Sequence, residues 1–211
     1  MTRRHMQIAL GLLWILDGAL QFQPFMFTSG LSNGVIAPAG QGQPIYISSG
    51  VGWAADLILA HPVVLDALFA TLQIAIGLGL LLRATVRPAL VASICWAFGV
   101  WYFGEGAGGI ASGHADMLTG APGAVLLYAV LAAAAWPARN PPASTSATES
   151  GSDVPAAWWL PWAWALLWVG TAVLVTLPGQ NTAADLAAEI RGNADGAPAW
   201  LAQLDRTIAS G

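Results

Sequence analysis

Residues 63–104 read VVLDALFATLQIAIGLGLLLRATVRPALVASICWAFGVWYFG. Two apolar runs, 63–82 and 88–104, flank a short turn that carries two arginines. A bilayer core of about 30 Å needs about 20 mostly apolar helical residues, so each run is predicted to span a membrane. Pro88 suits a first helical turn, where no backbone donor is needed. The stretch therefore predicts an antiparallel pair of membrane helices.

The composition extends this prediction to the rest of the chain. Hydrophobic residues make up 56% of the 211 residues, and charged residues only 9%. Three further apolar segments, 6–27, 121–136 and 157–177, bring the predicted number of spans to five. The predicted fold class is therefore all-α: a polytopic membrane protein with a four-helix core over residues 1–136, a fifth transmembrane helix, and a short amphipathic C-terminal tail.

The placement of the basic residues predicts the orientation in the membrane, because cytoplasmic loops collect arginine and lysine. With a cytoplasmic N-terminus, most of the arginines fall on the inner side, namely Arg3, Arg4, Arg83, Arg87 and Arg139. The C-terminal tail is then extracytoplasmic, and the expected location is the plasma (inner) membrane. The net charge of −4 and the lack of a basic run in the sequence predict no nucleic-acid partner.

Polar and glycine-rich segments separate the predicted spans. Residues 28–60 are predicted to form an outer cap at the interface, helical in part over 49–59. The glycine-rich outer loop 104–120 either re-enters the protein or forms a flexible turn. Residues 137–156 lack the apolar content for packing and predict a disordered cytoplasmic linker. An extracytoplasmic tail with two short helices is predicted over 178–211.

Three acidic residues lie inside or at the rim of long apolar segments: Asp17, Asp66 and Glu105. A carboxylate in hydrocarbon is costly, so such residues usually face a bundle interior and mark an ion, proton or ligand site. Structural alternatives remain open. Asp17 could form a helix–helix hydrogen bond to Gln73, and the other two carboxylates could be solvated at the membrane interface.

Helical spacing gives each acidic residue polar or aromatic neighbours on its own face. Gln21 follows Asp17 by one turn, Gln73 follows Asp66 by two turns, and Trp101 precedes Glu105 by one turn. The outer loop adds a histidine and an aspartate above them. We therefore predict a ligand or proton site formed by Asp17, Gln21, Asp66, Gln73, Trp101, Glu105, His114 and Asp116.

Metal and cofactor chemistry has weaker support in the sequence. His61 and His114 could ligate copper, zinc or haem iron, since imidazole suits all three; His61 could equally cap a helix or lie exposed. Five tryptophans of the 157–177 segment could stack on a quinone or a haem, or anchor the helix at the membrane interface. The sequence shows no nucleophile–base triad, phosphate loop or zinc-protease helix, so no catalytic residue is predicted.

The run 70–90, ATLQIAIGLGLLLRATVRPAL, follows a first helix with Gly11 and Gly18 and an outer cap. In these features the chain resembles the DoxX/DoxD-like membrane proteins over about residues 6–136. The resemblance implies a four-helix core whose second and third helices meet through a short basic turn. Members include a subunit of thiosulfate:quinone oxidoreductase and proteins of thiol redox assemblies. The resemblance thus implies an accessory role near quinone-linked electron transfer and transfers no catalytic residue.

Three hypotheses for the function follow. The first is an integral membrane accessory or scaffold subunit of a redox or respiratory assembly, with an outer-side acidic pocket and a membrane or extracytoplasmic protein partner. The second is a proton-linked transporter or a membrane protein that binds a metal or small ligand through Asp17, Asp66, Glu105 and His114. The third is an enzyme for a lipid-soluble substrate. Small-residue faces at 77–79 and 132–135 also permit a homo-oligomer.

Overall fold

The computed structural model describes residues 3–112, 121–137 and 199–208, together with isolated positions between 162 and 187. Every regular element in these ranges is helical, so the all-α prediction is confirmed. The α-helices of useful length are α1 (Arg3–Leu20), α2 (Ile45–Ala60), α3 (Pro62–Leu81), α4 (Val86–Gly99), α5 (Ala124–Ala134) and α6 (Ala199–Ile208).

Shorter helical segments connect these helices. A π-helix, Leu31–Ile36, and a single α-helical turn, Ala37–Ala39, precede α2. A second π-helix, Val100–Gly104, continues α4. The segment Gly106–Ser112 contains a run of four residues with positive φ, from Gly106 to Gly109. Three of these four are glycines, which adopt this left-handed conformation without a steric penalty.

Helix α1 ends at Leu20, well before the predicted end of the first span at residue 27. The residues that follow form turns up to Thr28. Pro24 accounts for the early end, because proline lacks a backbone donor and pushes the preceding residue away from helical geometry. A chain that turns here brings Gln21 and Met26 to the same cavity, which is described below.

Helix α2 is longer than the predicted helical part of the outer cap, since it begins at Ile45 rather than near residue 49. Pro44 precedes it in an extended conformation and supplies a natural start. One face of α2 is buried, including Ile47, Val51 and Ile58, so the helix packs into the protein along its length.

Helices α1 and α3 form an antiparallel pair that is held close by small residues. A Cβ on Gly11 would lie 2.9 Å from the carbonyl oxygen of Gly77, and one on Gly18 would lie 2.9 Å from that of Ala70. Small residues spaced by two turns on both helices thus allow their backbones to touch. This is the usual way in which helices associate closely inside membranes.

Helices α4 and α5 complete the bundle around a core at the middle of α1. Leu10 and Trp14 from α1 pack there against Leu80, Leu90 and other residues that are almost fully buried. The connection between α3 and α4 is the short turn that the sequence predicts. In that turn the Thr85 hydroxyl donates a hydrogen bond of 2.8 Å to the Gly79 carbonyl oxygen, which secures the end of α3.

Within the part of the chain that the structure describes, two helices are long and apolar enough to cross a membrane: Pro62–Leu81, and Val86–Gly104 with its terminal π-turn. Helices α2 and α5 are apolar but shorter. The five spans, the orientation and the plasma-membrane location therefore stay predictions. The predicted linker, most of the fifth span and the first tail helix lie outside the described residues.

Candidate functional site

A cavity of about 320 Å³ lies between α1, α3, the end of α4 and the start of α5. We call it the acidic chamber, because two carboxyl groups line it and no basic residue among the described ones does. Its polar and aromatic lining comes from four separate segments of the chain, which contribute Trp14, Asp17, Gln21, Gln73, Glu105 and Tyr128. Four of the predicted site residues thus line one cavity.

Helix α1 contributes Trp14 and Asp17 from one face, and Gln21 follows directly after its last residue. A side-chain hydrogen bond links Asp17 and Tyr128. The Trp14 ring packs edge-on against the Tyr128 ring at 4.8 Å, and its indole N–H donates to the Ser93 hydroxyl at 2.8 Å. These contacts fix both Asp17 and its neighbour on α5.

Glu105 reaches the chamber because α4 ends in a π-turn. Its backbone N–H donates to the Val100 carbonyl oxygen at 2.9 Å, which closes that wider turn. The side-chain Oε1 then accepts a hydrogen bond of 3.4 Å from the backbone N–H of Val125 in the first turn of α5. A helix N-terminus favours such a carboxylate, so Glu105 also stabilises α5.

Gly123 explains how the carboxylate can come so close to α5. It has a φ of 117°, and a Cβ at this position would lie 2.5 Å from Oε2 of Glu105. Trp101 closes the same corner from the other side, because its indole N–H donates to the Pro122 carbonyl oxygen at 2.7 Å. Trp101 therefore positions the loop before α5 and does not itself line the chamber.

The environment of Glu105 changes its acidity. Burial raises the pKa of the Glu105 carboxyl above its usual range, because the charged form loses hydration. The hydrogen bond from the Val125 N–H partly opposes this rise. A basic side chain beside Glu105 would lower this pKa further, but no basic residue among the described ones lines the chamber.

Gln73 and Asp66 come from α3 and differ in their relation to the chamber. Gln73 is 6% exposed and lines the chamber, whereas Asp66 is fully buried and does not line it. The contacts of Gly11 with Gly77 and of Gly18 with Ala70 define an antiparallel register that extends to Asp66 near residue 22. Asp66 therefore lies level with the turn that follows α1, and it lines neither this cavity nor the one described next.

A second cavity of about 370 Å³ adjoins the acidic chamber, and the two share Gln21, Gln73 and Val100 as lining residues. We call it the aromatic chamber, because its wall includes the four rings of Trp53, Phe69, Trp96 and Phe103. The rings contact each other in pairs, with centroids 5.3 Å apart for Phe69 and Trp96. The site as a whole is thus polar at one end and apolar at the other.

Several buried polar atoms at the two chambers lack a protein partner. In the acidic chamber they are acceptors, namely Oε1 of Gln21, Oε1 of Gln73 and Oε2 of Glu105. The indole N–H of Trp96, in the aromatic chamber, also has no partner. The same holds for both carboxyl oxygens of Asp66, which lines neither chamber. Buried polar groups are nearly always hydrogen-bonded in native proteins, so such a concentration indicates a place for a bound molecule.

The predicted metal pair of His61 and His114 stays a prediction, because His114 lies outside the described residues. His61 is exposed at the junction of α2 and α3, where it ends one helix and precedes the next. His114 and Asp116 lie outside the described residues, so their part in the site stays a prediction. Across the described ranges no group of three or more histidine, cysteine, aspartate or glutamate side chains is placed to hold a metal ion.

Tyr128 and the aromatic chamber were missed by the sequence reasoning. Tyr128 is the one hydroxyl-bearing residue in the apolar helix AVLLYAVLAAA, and this signal was present in the sequence. The aromatic chamber had no such signal, because its rings come from α2, α3 and the α4 region, and their meeting depends on how these helices pack.

Comparison with known proteins yields no relative. No family model, curated protein or solved structure matches the chain.

Proposed function

We propose that the chain is an integral membrane protein that binds a small ligand in the joined acidic and aromatic chambers. The proposal combines the five predicted spans, two of which correspond to helices of sufficient length and apolarity, with the internal site. It adopts the small-ligand form of the second hypothesis and keeps the predicted cytoplasmic N-terminus. Under this orientation the acidic chamber opens toward the outer half of the bundle.

The single observation that carries the proposal is the position of Gln73. Its side chain is 6% exposed, its Oε1 has no partner, and it lines both chambers. A residue selected only for helix packing at this depth would be apolar, because an unpaired buried amide oxygen costs about 1 to 3 kcal/mol. A ligand that donates a hydrogen bond to Gln73 would remove this cost.

Native mass spectrometry of the full-length protein, released from lipid nanodiscs, tests the proposal. We expect a small molecule to remain bound to the protein and to be lost in Gln73→Leu. Asp56→Asn is the matched control, since Asp56 is an exposed residue of α2 that lines neither chamber. Protein that carries no ligand, and that no compound of a metabolite library stabilises against heat, would contradict the proposal.

The resemblance supports a second candidate, an accessory subunit of a quinone-linked redox assembly. The observation that favours it is the short turn between the antiparallel helices α3 and α4, with exposed Arg83 in the turn and exposed Arg87 at the start of α4. Affinity purification in mild detergent tests it. This candidate requires a redox protein to copurify in fixed stoichiometry, and purification of the chain alone would count against it.

A further inference from the structure

The acidic chamber has negative groups without a positive counterpart. Asp17 and Glu105 line it, and no arginine or histidine among the described residues does. The arginines nearest along α1 are engaged elsewhere: Arg4 donates to carbonyl oxygens at the end of α3, at Leu80 and Leu81. That contact lies about 20 Å from Asp17 along the helix axis. A ligand that supplies positive charge would therefore complete the chamber.

The chamber also offers hydrogen-bond acceptors that no protein donor reaches. Its unpartnered buried atoms, Oε1 of Gln21, Oε1 of Gln73 and Oε2 of Glu105, are all acceptors. A primary ammonium group carries a positive charge and three N–H donors with no acceptor. Its three donors can therefore be shared among the Asp17 and Glu105 carboxylates, which only accept when ionised, and the Gln73 amide oxygen, whereas a carboxylate or phosphate ligand would bring further acceptors.

The aromatic chamber distinguishes an organic cation from a bare metal ion. It continues from the acidic chamber past Gln21 and Gln73, and its volume of about 370 Å³ is lined mainly by aromatic and aliphatic side chains. Burial of an apolar group there would be favourable by about 25 cal/mol for each Å² removed from water. An inorganic ion would bind in the acidic chamber alone and would make no contact with the apolar side chains of the aromatic chamber.

We propose that the joined chambers bind an amphipathic primary amine, with its ammonium group among Asp17, Gln73 and Glu105 and its apolar body between the rings of the aromatic chamber. This inference rests on the proposed ligand-binding function and specifies its ligand class. The head group would be held by charge-assisted hydrogen bonds, which are about twice as strong as those between neutral groups. The apolar body would contact Phe69 and Trp96.

Three probes of nearly equal shape test the inference: phenylbutylamine, phenylbutanol and phenylbutyrate. Their binding to the full-length protein in lipid nanodiscs is measured by calorimetry at neutral pH, with empty nanodiscs as the reference. We expect the amine to bind at least tenfold more tightly than the alcohol, and the carboxylate to show no binding. An alcohol that binds as tightly as the amine, or a carboxylate that binds more tightly, would overturn the inference.

Variants locate the head group and separate the two proposals. Asp17→Asn and Glu105→Gln should each weaken amine binding about tenfold, whereas Asp56→Asn should leave it unchanged. Unchanged binding in both chamber variants would overturn the inference, and the comparison of the three probes on the natural protein stands even where a variant fails to fold. Alcohol binding as tight as amine binding, with both lost in Gln73→Leu, would contradict the amine while supporting a ligand site. Failure of all three probes, with no copurified molecule, would contradict both.

Discussion

Helix α1 carries polar residues at both of its ends, and the two ends differ in how those residues are satisfied. Near its start, Arg4 donates to the Leu80 carbonyl oxygen at 3.1 Å, and Nε2 of Gln7 donates to that of Ala135 at 2.9 Å. Arg3 donates to the Trp136 carbonyl oxygen. We call this region the basic end. Each of these donors meets a carbonyl at the end of α3 or α5.

At the other end of α1 the situation is reversed, because three buried acceptor atoms of the acidic chamber receive no hydrogen bond from the protein. The last carbonyl groups of a helix have no intrahelical partner, so the basic end solves a problem of folding. The acceptors of the chamber solve no such problem, apart from the hydrogen bonds of Glu105 with Val125 and of Asp17 with Tyr128. The comparison teaches that buried polar residues of one helix can serve stability at one end and a ligand at the other.

The largest effect is expected at the close contact between α1 and α3, on which both regions depend. A Cβ on Gly18 would lie 2.7 Å from Cγ1 of Ile74, so Gly18→Leu should separate α1 from α3 and prevent folding. The yield of monodisperse protein in size-exclusion chromatography measures this. Gly52→Leu serves as the control, because a Cβ there meets nothing within 4 Å. Normal yields for Gly18→Leu would refute the close packing of the two helices.

A smaller loss is expected at the basic end. Arg4→Met removes the donor for two carbonyl groups at the end of α3, and we expect the free energy of unfolding in mixed micelles to fall by about 2 kcal/mol. Ligand binding in the folded protein should be unaffected. Exposed Arg87→Met is the control and should change little. Equal losses for the two variants would remove the stabilising role given to the basic end.

The opposite pattern is expected for Gln73→Leu in the chambers. The variant removes an unpartnered buried amide, so the unfolding free energy of the ligand-free protein should stay the same or rise by about 1 kcal/mol. Ligand binding should be lost. A fall of stability as large as that of Arg4→Met would show that Gln73 serves the fold, and the contrast between the two ends would disappear.

The smallest effect concerns pH. Since burial raises the pKa of Glu105 in the folded state, its contribution to stability is fully present at low pH and is lost as the pH rises through that raised pKa. Glu105→Gln should therefore match the natural protein at low pH and exceed it in melting temperature at higher pH, with ligand absent. Melting curves across this pH window, with Asp56→Asn as the reference, measure the difference. A constant difference would contradict the burial of an ionisable group.

The sequence was sufficient for the all-helical fold and for much of the acidic chamber. Long apolar runs decide helices, and one-turn spacing places Asp17 and Gln21 on a common face, which the structure confirms. Glu105 was also found, although its route into the chamber was not. The π-turn before it lies where Trp101 contacts the loop before α5. The hydrophobic periodicity of the sequence does not predict such a turn.

Other features were beyond sequence reasoning for physical reasons. The early end of α1 is explained by Pro24, a local signal that was outweighed by the apolar composition of residues 6–27. The aromatic chamber needs side chains from three helices, whose mutual positions depend on close contacts such as that of Gly79 in α3 with Ala89 in α4. Asp66 was predicted to join the site, yet it lines neither chamber.

An experimental structure of the natural protein in nanodiscs with phenylbutylamine tests the central claim most directly. The account predicts density for the amine across both chambers, with its nitrogen within hydrogen-bonding distance of Asp17 or Glu105 and its ring beside Trp96. Chambers filled only by ordered water molecules that bridge Gln21, Gln73 and Glu105, at saturating amine, would contradict it.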